Sequence, residues 1–271
     1  MNALLIRLRI STITTSRKDK WLTESTIAAN HAAADAGRWV NTLWPALALR
    51  PIKAAEAALR AHTYLKTSPF SDVGDRILPS NKFFEFMEAY RELENDRVQK
   101  CAEFIHAYDK WIAQAATMRG TLFNADDYPS AAAAASAFGC KLDTKPVPAI
   151  SQLPQDLAEV EEIKANLNEQ IEEGIKNAKR DISMRVIKPL EAFLEKASSD
   201  IGTISVTTVK SIVEIADIIA DLDFDGSYAE TIAALRALDL DASVLRTSEW
   251  ELAQAKRSVD DILTKFLPTA A

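Results

Sequence analysis

Apolar and polar positions alternate at the start of the chain. Leu4, Ile6, Leu8 and Ile10 fall on one side of an extended backbone, and Leu5, Arg7, Arg9 and Ser11 fall on the other. Period two over residues 3–14 predicts a half-buried strand. Thr12, Ile13, Thr14 and Thr15 continue it with β-branched side chains. A strand needs partners for its backbone donors and acceptors. Two internal segments qualify: 141–150, interrupted by Pro146 and Pro148, and the β-branched stretch 201–209. If neither pairs, the partner belongs to another chain.

From Thr23 the period changes to that of a helix. Residues 23–37 are alanine-rich and close on Gly37, and Pro51 opens a second alanine-rich helix to about residue 65. The segment 67–80, with two prolines and a glycine, reads as a connecting loop ending in Ser80 as an N-cap. Two long helices follow. The first spans 81–122, with Phe84, Met87, Val98, Cys101, Ile105, Tyr108, Ile112 and Ala115 at helical spacings. The second spans 154–199, with Pro154 in its first turn and Asp156 and Glu159 near the positive end of its dipole. Its stripe is Leu157, Val160, Ile163, Leu167, Ile171, Ile175, Ala178, Ile182, Val186, Leu190 and Phe193, every step three or four residues. Gly174 weakens this helix, and Pro189 is expected to kink it near Arg185. Between the two, residues 131–135 are five alanines that form a short helix. Three further helices are predicted at 206–222, 228–238 and 241–266.

The pattern predicts a mainly α protein, an elongated helical bundle. Its centre would be a long antiparallel coiled-coil-like helix pair, with a short N-terminal β-strand. Three regions follow: 1–66, the strand and alanine-rich helices; 67–200, the long helices with a central loop at 120–153; and 201–271, acidic helices.

Composition narrows the chemistry. The 271 residues include only seven glycines, no two close enough for a dinucleotide fingerprint, a phosphate-binding loop or a nucleophile elbow. The three histidines, His31, His62 and His106, are too far apart for a zinc-binding pair on one helix, and each falls in a predicted helix. The longest uncharged stretch, 128–140, is too short to span a bilayer, and the arginines within the first ten residues do not suit an export signal. Cys101 and Cys140 are the only cysteines, which suits a reduced cytoplasmic setting where a disulfide between them is disfavoured. No catalytic, cofactor or metal residue is expected, and no cofactor.

Two local patterns come near to a site. Asp221, Asp223, Asp225 and Gly226 open like a calcium loop, but the twelfth position is Ile232 where a bidentate acid is needed. The same residues fit a turn followed by a Ser227–Glu230 capping box. Acid clusters on the 154–199 helix read as solvated faces, because di-iron bundles require histidines that residues 151–271 lack. Charge is unevenly spread, with a net +5 over residues 1–60 and −10 over 151–271. Arg7, Arg9, Arg17, Lys18 and Lys20, followed by Trp21, form a basic segment with an aromatic, a combination that can meet an anionic partner.

Leu78-Pro79, the helix carrying Glu103-Phe104 and Tyr108, then Leu122-Phe123, Asp127-Tyr128-Pro129, Phe138 and Pro146-Val147-Pro148 resemble an uncharacterised, largely phage-encoded family over about residues 65–200. The resemblance carries no catalytic residues. It implies a neighbourhood with a MoxR-type AAA+ ATPase and a von Willebrand A-like protein, hence an accessory or adaptor. Within it, Asp127-Tyr128-Pro129 reads as the corner that starts a helix, with Tyr128 packing back on the protein. The expectation is a non-enzymatic, oligomeric, phage-encoded interaction protein without membrane association. The alternative is a nucleic-acid-binding accessory factor for replication or recombination.

Overall fold

The computed structural model describes residues 2–148, 160–199, 204–238 and 240–266. The chain divides into two compact units. Unit 1 contains residues 1–7, 63–87 and 143–271, and unit 2 contains 8–62 and 88–142. The chain passes between them within four regular elements: β1 (Ala3–Ser11), α2 (Ala46–Lys66), α3 (Phe83–His106) and β6 (Gly139–Pro146).

Strand β1 forms as its alternation predicts, but its partners differ from expectation. Strands β4 (Ser68–Pro69) and β5 (Arg76–Pro79) join β1 and β6 in a four-stranded sheet of order β4-β5-β1-β6. In unit 1, β1 and β5 are antiparallel, with Ala3 opposite Pro79 and Ile6 opposite Arg76. The segment expected to be a loop is therefore a hairpin. Its prolines end β4 and β5, where a missing ladder donor is tolerated. Gly74, at φ +91, makes the turn, and Asp75 carbonyl oxygen accepts from Phe70 and Ser71 amides. Segment 141–150 supplies part of β6, so β1 is paired within the chain. The other candidate, 201–209, lies partly outside the described residues, and its end belongs to a helix.

The core of unit 1 gathers around α6 (Val160–Ser199), which packs against β4, α7 (Val206–Leu222) and α10 (Glu249–Phe266). Ala178, Ile182, Val186, Leu190 and Phe193 are fully buried, as their three-four spacing predicts. The expected start of this helix, with Pro154, Asp156, Leu157 and Glu159, lies outside the described residues. Helix α6 runs on through both Gly174 and Pro189. Short α8 (Ala229–Arg236) packs on α7, and α9 (Ala242–Leu245) precedes α10, so the predicted 241–266 helix is broken at 246–248.

Unit 2 has its own core. Strands β2 (Ser16–Asp19) and β3 (Trp39–Thr42) pair antiparallel, with α1 (Lys20–Ala29) in their connection. Helix α1 stops at Ala29, short of the expected end at Gly37; His31 adopts a left-handed φ of 49° rather than a helical one. The predicted 81–122 helix is two helices, α3 and α4 (Tyr108–Arg119), separated at Ala107. Its buried face is also displaced. Phe86, Tyr90, Arg97, Cys101, Phe104 and Tyr108 face inward, while Phe84 is 82% exposed and Val98 56%. The alanine run forms α5 (Ala131–Ala137) behind a Ser130 N-cap.

The expected elongated bundle around a coiled-coil-like helix pair is thus corrected. Helices predominate, but a four-stranded and a two-stranded sheet accompany them. The two long helices fill different cores, α6 that of unit 1 and most of α3 that of unit 2. An amphipathic stripe reports that one face is covered. It does not report which element covers it.

Candidate interaction surface

The residues of the basic segment are put to different uses. In unit 1, Arg7 Nε donates to Asp75 Oδ1 at 2.8 Å, and Lys145 Nζ donates to Asp75 Oδ2 at 2.8 Å. Burial pushes the Asp75 carboxyl up, but these two cationic donors outweigh it and hold it below its ordinary value. Arg7 is therefore part of a structural ion cluster. In unit 2, Arg9 is exposed on β1, and Arg17 Nη1 donates to Asp127 Oδ1 at 2.8 Å. Lys20 meets Glu24 one turn on at 3.7 Å, both side chains exposed. Lys18 has no ion pair among the described residues, and Trp21 is 72% exposed.

The β2–β3 pairing explains this division. Arg17 stands opposite Asn41, and Lys18 opposite Val40, so the two basic neighbours point to opposite faces. On the Arg17 face, Asp19 accepts from Leu22 amide as the α1 N-cap and from Asn41 Nδ2, while Trp39 Nε1 donates to Asn41 Oδ1. On the Lys18 face, Val40 is exposed. Arg38, exposed and without a partner among the described residues, joins Lys18 and Lys20 along a cleft of about 630 Å³. Ile27, Ala28 and Ala34 give that cleft an apolar side. Arg38 and Trp39 were not anticipated, because residues 23–37 read as one helix ending at Gly37 and hid the turn that returns the chain to β3.

The corner Asp127-Tyr128-Pro129 holds unit 2 together. Asp127 accepts from Arg17 and, at 2.9 Å, from Arg119 Nη1. Tyr128 hydroxyl donates to Leu43 carbonyl at 2.8 Å, and its ring meets Trp44 edge-on at 5.1 Å between centroids. Pro129 carbonyl accepts from Tyr108 hydroxyl at 2.6 Å. The proline precedes the N-cap rather than standing in the first turn, so it shapes the approach to α5 from outside.

The other near-motifs resolve into structural contacts. Asp221 pairs with Lys66 Nζ at 2.5 Å and Lys82 Nζ at 2.7 Å. Burial raises its carboxyl, and these lysines hold it below the ordinary range. Asp225 pairs with Lys179, and Asp223 accepts from Gly226 and Tyr228 amides. These carboxylates serve lysines and a turn, and no cluster able to hold a metal ion occurs among the described residues. The expected Ser227 cap is replaced by the Asp223 turn, and α8 starts without a side-chain cap at Tyr228. Cys101 and Cys140 are both free thiols, and Cys140 Sγ lies 3.3 Å from Tyr90 hydroxyl.

No helix among the described residues is long and apolar enough to cross a membrane. No protein-family model, curated protein or solved structure matches the chain.

Proposed function

We propose that this is a non-enzymatic accessory protein that works by binding another protein, with residues 16–42 of unit 2 as its docking surface. The observation that carries this reading is the company Trp21 keeps. A large aromatic stands exposed on the same β2–α1–β3 lobe as Lys18 and Arg38, two cations with no internal partner. Exposed aromatics beside arginine are the side chains that dominate protein interfaces. With Lys20, these cations outnumber the acids Asp19 and Glu24 that line the same cleft, which favours a partner with an acidic face. Asp75 and Asp221, two carboxyls of unit 1 held below their ordinary values, are engaged with lysine and arginine neighbours.

The phage-encoded setting, self-association and an AAA+ partner belong to the same proposal, and rest on the resemblance around Asp127-Tyr128-Pro129. Affinity capture from expressing cells with wild-type protein and with Trp21→Ala/Lys18→Glu/Arg38→Glu tests it. A protein retained by wild type and lost from the triple variant is the expected result. Identical captures would remove the docking surface, and a monomer by light scattering would remove self-association.

A second reading, binding to single-stranded nucleic acid, is favoured by exposed Trp21 on the same lobe as these cations. It is weakened by Arg7 and Arg17, whose guanidiniums are engaged by Asp75 and Asp127. Quenching of Trp21 fluorescence by an oligonucleotide at low salt separates the two.

A further inference from the structure

Strands β2 and β3 form a sheet of two, so each has an outer edge that no other strand of the described residues pairs with. The register decides which backbone groups stand on those edges. Leu43 amide donates to Thr15 carbonyl at 3.0 Å, one step beyond the Ser16–Thr42 pair. Antiparallel ladders bond at alternate pairs, so Arg17 and Asn41 bond each other, while the Lys18–Val40 and Ser16–Thr42 pairs do not. The amide and carbonyl groups of Val40 and Thr42 therefore point away from β2. They offer two donors and two acceptors at the spacing that an incoming strand uses.

The two edges differ. Strand β2 carries Arg17 and Lys18, and charged side chains are the usual protection of an edge. Strand β3 reads Trp39-Val40-Asn41-Thr42, with neither charge nor proline, and Trp39, Val40 and Thr42 are exposed. Its surroundings define what can pair with it. A residue added opposite Val40 shares a face with Lys18, whose side chain stands beside Val40 across a close, non-bonded pair. Arg38, one residue before β3, lines the same cleft as Lys18. The next residue of an added strand falls on the other face, beside the Trp39 ring. The carboxylate on that face, Asp19, is already taken by Leu22 amide and Asn41 Nδ2. The segment that fits alternates acidic and apolar side chains.

We infer that β3 takes an extended segment of the partner protein as a third strand, with acidic side chains toward Lys18 and Arg38 and apolar ones over Trp39. This rests on residues 16–42 being the docking surface, and adds how the partner is held there. Backbone bonds to Val40 and Thr42 supply the affinity, and the two cations select the acidic segment.

Fluorescence anisotropy of a labelled octapeptide of alternating glutamate and leucine, titrated with the full-length protein, tests it. Saturable binding is expected, at least tenfold tighter than that of the lysine–leucine counterpart. Val40→Pro removes an outward amide that β2 does not use, so it should weaken the peptide at least tenfold and leave the thermal unfolding transition in place. Lys18→Glu/Arg38→Glu should weaken it as much. In the wild-type protein, saturating peptide should slow hydrogen exchange at the Val40 and Thr42 amides, a measurement that needs no substitution. Peptide binding that charge reversal abolishes, with neither amide protected and the folded proline variant unaffected, would overturn strand addition and leave the docking surface standing. Binding indifferent to charge reversal would count against both. No binding of the glutamate–leucine peptide, or equal binding of the lysine–leucine one, would overturn the acidic third strand.

Discussion

The Phe70 ring of β4's hairpin lies directly over the backbone of Gly174 in α6. A Cβ added at residue 174 would stand 2.5 Å from Phe70 Cε2. The helix is continuous at this point, so the glycine serves close approach rather than a bend. Alanine would favour an isolated helix by about 1 kcal/mol, yet here it meets a buried ring. Gly174→Ala is expected to destabilise unit 1 by about 1–3 kcal/mol, the usual cost of overpacking. Urea unfolding checks it, and adding Phe70→Leu should recover part of the loss.

Asp75 predicts a pH dependence. Its carboxyl sits below its ordinary value in the folded protein and near about 3.9 when unfolded. A depressed folded value contributes stability that is complete above the unfolded value and is lost as pH falls through the folded one. Asp75→Asn should therefore cost most at pH 7, with the gap to wild type closing as pH approaches 3. Unfolding midpoints measured across that range give the answer, and a pH-independent gap would contradict the ion cluster.

Much of this architecture is legible in the chain, and the failures have physical causes. Alternation located β1, and the Val206–Leu222 helix has the bounds its pattern predicts. Strand β5 escaped because four residues, Arg76-Ile77-Leu78-Pro79, are too few to display a period beside two prolines. Helix α3 is legible, but the apolar positions alone put its face through Phe84 and Val98, which are exposed, and leave out Arg97, which is buried. Arg97 stands four residues before Cys101 and seven before Phe104, so the spacing already carried it. Of the candidate site, Lys18, Lys20 and Trp21 were visible. Which arginines were free was not, because Asp75 and Asp127 are distant in sequence from Arg7 and Arg17.

Tyr128 and Tyr108 both anchor the corner before α5. Tyr128→Phe removes the bond to Leu43 carbonyl but keeps the ring on Trp44, and should cost about 1 kcal/mol. Tyr108→Phe removes the bond to Pro129 carbonyl with a similar loss. Because both bonds hold one corner, the double variant should depart from additivity, as a double-mutant cycle of chemical denaturation would reveal.

Ser68 Oγ is sealed from solvent without a hydrogen-bond partner among the described residues. A buried hydroxyl left in that state is a cost to the fold. Ser68→Ala should leave stability unchanged or raise it by up to about 1 kcal/mol, read as the shift in thermal midpoint. A clear loss would mean that the hydroxyl has a partner.

The division of the chain has a consequence for its synthesis. Residues 8–142 include everything unit 2 needs, so that unit can close when about half of the polypeptide has left the ribosome. Unit 1 must wait, holding Ala3–Arg7 and the 63–87 segment until α6, α7 and α10 emerge to cover them. Buried side chains such as Leu5, Phe70 and Ile77 stay uncovered during that interval. The nascent chain is therefore most exposed to chaperones and to aggregation while its second half is being translated.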